Sequence, residues 1–193
     1  LWTRITPTDG NNAEVQIGWE LATDSAFTDL VHSGTASTNA ARDFTLKVDA
    51  QDLLPGTSYY FRFKVAGLTS PVGRCKTLPA GSIDQVRFAV LSCSNYPAGL
   101  FHVYAAAAAE AELDAVLHLG DYIYEYGNGG YASEDAAALG RLLPDHNASE
   151  ILSLDDYRKR YALYRTDADL QLLHASAPFI AVWDDHEVAN DTW

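Results

Sequence analysis

Along the first 78 residues or so, hydrophobic and polar positions alternate with a period of two. Val15, Ile17, Trp19 and Leu21 are separated by Gln16, Gly18 and Glu20. Phe44, Leu46 and Val48 alternate with Thr45 and Lys47, and Tyr59, Phe61, Phe63 and Val65 with Tyr60, Arg62 and Lys64. That period sets one face of each strand on a core and the other in water. Asp9-Gly10-Asn11-Asn12 and Pro55-Gly56 are turn signals. These features predict a β domain over residues 1–78, followed by a short linker at Leu78-Pro79-Ala80-Gly81-Ser82.

Beyond the linker the pattern changes to strand–helix alternation, which argues for an α/β layer architecture over residues 84–193. Val86–Leu91 reads as a buried strand, Gly99–Glu112 as an Ala-rich helix, and Ala115–Leu119 as a second strand. Ser153 is placed to cap a helix running through Tyr157 and Tyr161 to Tyr164. Phe179–Trp183 reads as a third strand. In the β domain, Leu54-Pro55-Gly56-Thr57-Ser58-Tyr59 resembles the turn before a late strand of fibronectin type III sandwiches, where a tyrosine pins the corner. An ordinary hairpin turn beside a core tyrosine fits the same string.

Ligand-type residues cluster directly after the three apolar strands: Cys93 after the first, Asp121 after the second, Asp185-His186 after the third. Open α/β sheets build their sites at the carboxyl ends of strands, so these three points predict one shared site. Each has a plainer reading. Cys93 could be a small buried hydrophobe, Asp121 a turn or cap residue, and Tyr122, Tyr124 and Tyr126 ordinary aromatics. His118, inside an apolar strand, reads as a satisfied core histidine or a group supporting a ligand. Asp184-Asp185 resists the plain reading, because adjacent carboxylates at a strand end repel each other unless a cation or proton compensates.

Charge narrows the function classes. Acidic residues outnumber basic ones 26 to 13 over 193 residues, a formal charge of −13. That balance opposes nonspecific nucleic-acid binding, which needs clustered Lys and Arg, and leaves cation binding open. Two cysteines, Cys75 and Cys93, make no disulfide framework. No apolar run is long enough to span a bilayer.

Four strings carry a resemblance: Ser92-Cys93-Ser94-Asn95; Leu117-His118-Leu119-Gly120-Asp121-Tyr122-Ile123-Tyr124-Glu125-Tyr126; Tyr157-Arg158-Lys159-Arg160-Tyr161; and Trp183-Asp184-Asp185-His186-Glu187-Val188-Ala189-Asn190-Asp191. In this order they are similar to the PhoD-like alkaline phosphatases of the calcineurin-like metallophosphoesterase superfamily, whose sandwich domain also carries a Trp-Thr-Arg start. The resemblance implies a fibronectin-III-like β-sandwich followed by the N-terminal half of an α/β/β/α sandwich. It implies hydrolysis of phosphate monoesters and diesters, phospholipase D-like activity included, by a metal-activated hydroxide at an Fe3+ and Ca2+ site. By position, Cys93 would be a thiolate ligand, Asp121 the bridging carboxylate and Tyr124 a phenolate ligand. Asp185 and Asn190 would be further metal ligands, and Asp184 and His186 catalytic, the His stabilising the leaving oxygen. A secreted, periplasmic or cell-envelope monomer acting on a phosphate ester is expected. Both termini read as cut, with an export signal expected before Leu1 and further Asp and His ligands after Trp193, so the 193 residues alone are expected to be inactive. Two other classes compete: a binding module built on the β-sandwich with a remnant α/β part, and a cysteine hydrolase pairing Cys93 with His118 or His186.

Overall fold

The period-two segments around Ile17 and Phe63 become the central strands of an N-terminal unit, Leu1–Asp84. The structure, a computed structural model, describes every residue except Asp9, Asn11 and Trp193, so the first expected turn lies partly outside the described residues. The strands are β1 (Trp2–Arg4), β2 (Val15–Ala22), β3 (Leu30–Thr38), β4 (Thr45–Lys47), β5 (Ser58–Val65), β6 (Leu68–Thr69) and β7 (Gly73–Lys76). β1 pairs with β4; β2 lies between β3 and β5, and β5 also pairs with β6 and β7, all antiparallel. Ile17, Leu46 and Phe63 form the buried centre, with Trp19, Val48 and Phe61 against it. The alternation around Leu46 starts one residue later than its hydrophobicity suggests, because Phe44 has φ 52° and lies outside β4 although its ring is buried. The Tyr59 hydroxyl accepts a hydrogen bond from the Leu54 backbone N–H at 2.9 Å, which pins the turn at Pro55-Gly56.

β3 has no clear apolar alternation, and its reason is steric. A Cβ on Gly34 would stand 2.9 Å from the Trp19 indole nitrogen, so the strand gives up a side chain where Trp19 crosses it. The same happens in β7, where a Cβ on Gly73 would collide with the Phe61 ring at 2.3 Å.

The C-terminal unit, Gln85–Trp193, contains β8 (Phe88–Leu91), α1 (His102–Ala108), β9 (Ala115–His118), α2 (Leu154–Tyr164), α3 (Ala168–Ser176) and β10 (Phe179–Ala181). The three strands are parallel in the order β10-β9-β8. Helix α1 is half the expected length. Pro97 and Gly99 delay its start; Tyr104, Ala107 and Ala108 pack on the core, and beyond Ala108 Ala propensity alone does not carry the helix through Glu112. Ser153 and Asp156 close a capping box on α2 as the sequence suggests. Helix α3 was not expected; Asp167 caps it, accepting from the N–H groups of Asp169 and Leu170, both at 3.0 Å.

The expected burial of the first α/β strand holds for one face only. Ala89, Leu91, Val116 and Phe179 pack with Tyr104, Leu170 and Leu173 in the core. The alternate residues Phe88 and Val90 are 52% and 57% exposed, and Val90 lies in register with Leu117 and, across β9, with the exposed Ile180. The sheet thus has a wet apolar side that continues into Val182 and Trp183.

His118 is enclosed on the covered side, its Nε2 3.1 Å from the Tyr104 hydroxyl and its ring stacked on Phe179. Burial pulls its pKa down to about 4, with Asp121 partly opposing. Burial lowers His174 likewise, to about 2, with help from Arg165. Both titrate below the unfolded value, so the unfolded chain takes up protons first as pH falls. The stability they protect is complete above about pH 6.5. Below that, His118 alone is expected to cost about 1.4 kcal/mol per pH unit down to about pH 4. Denaturant midpoints between pH 7 and 4.5 should fall accordingly, and His118→Phe, which keeps a ring against Phe179, should flatten the fall. An equally steep acid limb in that variant would assign the loss to other groups.

Candidate metal centre

The carboxyl ends of β8, β9 and β10 meet. The Cys93 N–H donates to the Gly120 carbonyl at 3.2 Å, and the Ser94 N–H to the Asp121 carbonyl at 2.8 Å. Gly120 has φ 105°, and a Cβ there would lie 2.4 Å from the Asp184 Cβ, so only glycine lets the ends of β9 and β10 touch. Cys93 and Asp121 both sit in the left-handed region, at φ 60° and 53°. Such conformations in non-glycine residues cost of the order of 1 kcal/mol each and persist where surrounding structure imposes them. Here they turn each chain sharply at the strand end.

Asp121 is 6% exposed. Its Oδ2 accepts from the Tyr124 hydroxyl at 3.1 Å and the Cys93 thiol at 3.4 Å. Its Oδ1 is buried and has no hydrogen-bond partner among the described residues. Ligand atoms of Asp121, Asp185 and His186 all lie within 4.8 Å of one another. A buried carboxylate oxygen without a donor, facing a second carboxylate, is an arrangement that a cation stabilises. Burial, reinforced by the Asp121 carboxylate, pushes the Tyr124 phenol well above its ordinary range. It therefore keeps its proton and donates to Asp121 unless a cation reverses the balance. The Asp191 backbone N–H, 2.6 Å from Asp185 Oδ2, holds that carboxyl below the usual range.

The structure thus brings five of the seven sequence candidates together: Cys93, Asp121, Tyr124, Asp185 and His186. The other two face elsewhere. Asp184 is exposed and caps the 3-10 turn Asp185–Glu187, its Oδ1 accepting from the Asp185 N–H at 3.0 Å. Capping is how the adjacent carboxylates avoid each other: one turns to the backbone, the other to the cluster. Asn190 is exposed, and its side-chain amide donates to Asp191 at 3.0 Å.

Three further residues carry the architecture and were not singled out from sequence. Glu125 is buried; its Oε2 is 2.9 Å from His186 Nδ1, and its Oε1 accepts from the Asn190 backbone N–H at 2.8 Å. The His186 ring stacks on Tyr124 with centroids 4.2 Å apart. Glu187 is buried and accepts from four backbone N–H groups, those of Asp121, Tyr122, Ile123 and Asp184. Arg160, 1% exposed, donates to the carbonyls of Tyr124, Tyr126, Asn147 and Ser149. The available signal was a charge inside an aromatic or apolar string, as in Tyr124-Glu125-Tyr126, and Arg160 sharing the face of α2 that buries Tyr164.

A sequence profile of the PhoD-like phosphatases matches residues 88–193. The chain belongs to the PhoD-like phosphatase family. Residues 1–79 match the profile of the PhoD-like phosphatase N-terminal domain. Alkaline phosphatase D of Bacillus subtilis (strain 168) is 42% identical over 198 residues, covering 99% of this chain and 33% of that protein. A solved structure described as "Structure of PhoD" superposes with a TM-score of 0.89 at 41% identity, over 98% of this chain and 37% of the other. This PhoD-like chain therefore spans about a third of the length of the curated relative it matches. Its β-rich first unit and α/β second unit agree with that likeness. No helix among the described residues is long and apolar enough to cross a membrane.

Proposed function

We propose that the protein carrying this chain is a metal-dependent phosphoesterase that hydrolyses phosphate monoesters and diesters, phospholipase D-like cleavage of headgroups included. Asp121 carries the reading: a buried carboxylate with one oxygen shared by a thiol and a phenol and the other lacking a partner, beside Asp185 and His186. The donor set fits the metals that the family resemblance implies. Thiolate and phenolate are strong anionic donors for Fe3+, here Cys93 and Tyr124 with Asp121. Carboxylate and amide oxygens suit Ca2+, for which Asp121 and Asp185 would be ligands, and Asn190 would join them by turning its side chain away from Asp191. When bound, the cations supply Lewis-acid stabilisation of phosphoryl charge and an acidified water. The chain's own groups would bind and orient the metals. His186, held at Nδ1 by Glu125, would keep Nε2 for the leaving ester oxygen and, once Nε2 has also taken up a proton, would deliver that proton there. Asp184, which the resemblance implies is catalytic, would act instead by steadying the turn that carries Asp185 and His186.

Cys93 is assigned as a ligand rather than a nucleophile. Its thiol faces a carboxylate, whereas His118 and His186 bond to Tyr104 and Glu125. The cysteine-hydrolase reading needs one of those two imidazoles beside the thiol, and neither histidine is hydrogen-bonded to it. We read residues 1–78 as a fibronectin-III-like sandwich on the strength of the Tyr59–Leu54 corner, and residues 84–193 as half of a metallophosphoesterase domain. The second sheet of that domain would cover the apolar side bearing Val90 and Ile180. A secreted, periplasmic or cell-envelope location and a monomeric state complete the proposal.

Hydrolysis of a chromogenic phosphodiester by the full-length protein should stop on chelation and return on adding Fe3+ and Ca2+. The loaded protein should absorb visible light through phenolate- and thiolate-to-iron charge transfer. Tyr124→Phe should shift or remove that band while circular dichroism is unchanged. A fully active protein that ignores chelators would end the proposal; a colourless, active zinc protein would end the iron assignment alone.

A further inference from the structure

Two buried carboxylates cross between the loops that build the centre. Glu187, on the loop after β10, reaches the turn after β9, where Oε2 accepts from the Asp121 N–H at 2.9 Å and Oε1 from the Tyr122 and Ile123 N–H groups at 2.6 and 3.2 Å. The same Oε2 accepts from the Asp184 N–H at 2.7 Å, so one carboxylate ties both loops. Glu125, on the loop after β9, reaches the other way, to His186 Nδ1 and to the Asn190 backbone N–H. Neither carboxylate pairs with a Lys or Arg side chain among the described ion pairs; Glu187 meets only backbone donors. Four N–H groups converging on two oxygens need a carboxylate. An amide would offer one acceptor and set its own NH2 against the remaining donors.

We propose that Glu125 and Glu187 are positioning residues: a crossed pair of carboxylates that assembles the metal centre from the two loops before any cation arrives. The inference rests on the metal-dependent reading of the site. Glu187 holds the backbone of Asp121 in its left-handed conformation and so places the carboxylate that would hold the cations. Glu125 holds the turn that carries Asp185 and fixes the His186 tautomer with the proton on Nδ1, leaving the lone pair on Nε2. Groups behind metal ligands typically change metal affinity 10- to 100-fold when removed, roughly the scale expected here.

The test uses Glu187→Gln and Glu125→Gln in the full-length protein, both nearly isosteric, with circular dichroism confirming the fold. Iron and calcium retained after dialysis against graded chelator are measured by elemental analysis. Retention is expected to weaken about 10- to 100-fold in Glu187→Gln and about 10-fold in Glu125→Gln. In Glu125→Gln the imidazole 15N spectrum of His186 should also move from the Nδ1–H form toward a mixture of tautomers, a change that loss of packing alone would not cause. If Glu187→Gln does not fold, Glu125→Gln decides, since it leaves the Asp121–Ile123 donors satisfied. Wild-type retention and an unchanged His186 spectrum in the folded variants would overturn the proposal and leave the phosphoesterase reading intact. A wild-type protein that binds no metal would overturn both.

Discussion

Asp121→Asn is expected to leave a folded protein whose turnover has dropped by roughly 10³-fold or more. The fold survives because the amide oxygen can take the place of Oδ2 and keep accepting from Tyr124 and Cys93. The amide NH2 then occupies the position of Oδ1, the buried oxygen with no partner among the described residues. That substitution turns a buried vacant acceptor of the cluster into a donor, and a donor repels a cation. Metal content should therefore fall with activity, while the unfolding midpoint holds or rises as the unpaired buried charge disappears. Turnover near wild type would mean that Asp121 is a turn residue, as one reading of its sequence position allows.

The second large effect is structural. Arg160 is buried without a carboxylate partner among the described ion pairs, and its charge is met by carbonyls from two separate segments, Tyr124 and Tyr126 on one side, Asn147 and Ser149 on the other. Burial lowers its pKa, yet a guanidinium stays charged at any working pH. Arg160→Met removes the donors and leaves those carbonyls facing an apolar chain, at an expected cost of about 3–5 kcal/mol in the denaturation free energy. Arg160→Lys should recover only part of the loss, because one ammonium cannot span a fork of carbonyls. Because Tyr124 gives both its carbonyl to Arg160 and its hydroxyl to Asp121, metal retention should weaken along with stability. Equal stability of the Lys variant and the wild type would show that charge, not fork geometry, is what the site uses.

These two residues mark what was legible in the sequence. Asp121 was visible because it follows an apolar strand, and strand ends are where α/β sheets place polar chemistry. The same logic found Cys93, Asp185 and His186. Strands β2 and β5 were legible because a buried face enforces alternation, whereas β3 was not, since Trp19 lies over Gly34 and removes the side chain that would have completed the pattern. Glu187 and Glu125 act on backbone more than 60 positions away, as in the Glu187 bond to the Asp121 N–H. No local periodicity encodes such a contact. Arg160 reads in sequence as one of three basic residues on a helix, and apart from its spacing to Tyr164 nothing local separates it from Lys159, which pairs with Asp155.

The wet apolar side of the parallel sheet has a consequence for biosynthesis. β8, β9 and β10 leave the ribosome in that order, with their helical crossovers already made, so the sheet can form once Trp183 has emerged. Phe88, Val90, Ile180, Val182 and Trp183 then make a continuous strip of solvent-facing hydrocarbon on the nascent chain. At high expression such a strip favours self-association. Yield of the α/β unit should therefore depend on how fast that strip is covered more than on the intrinsic stability of the core behind it.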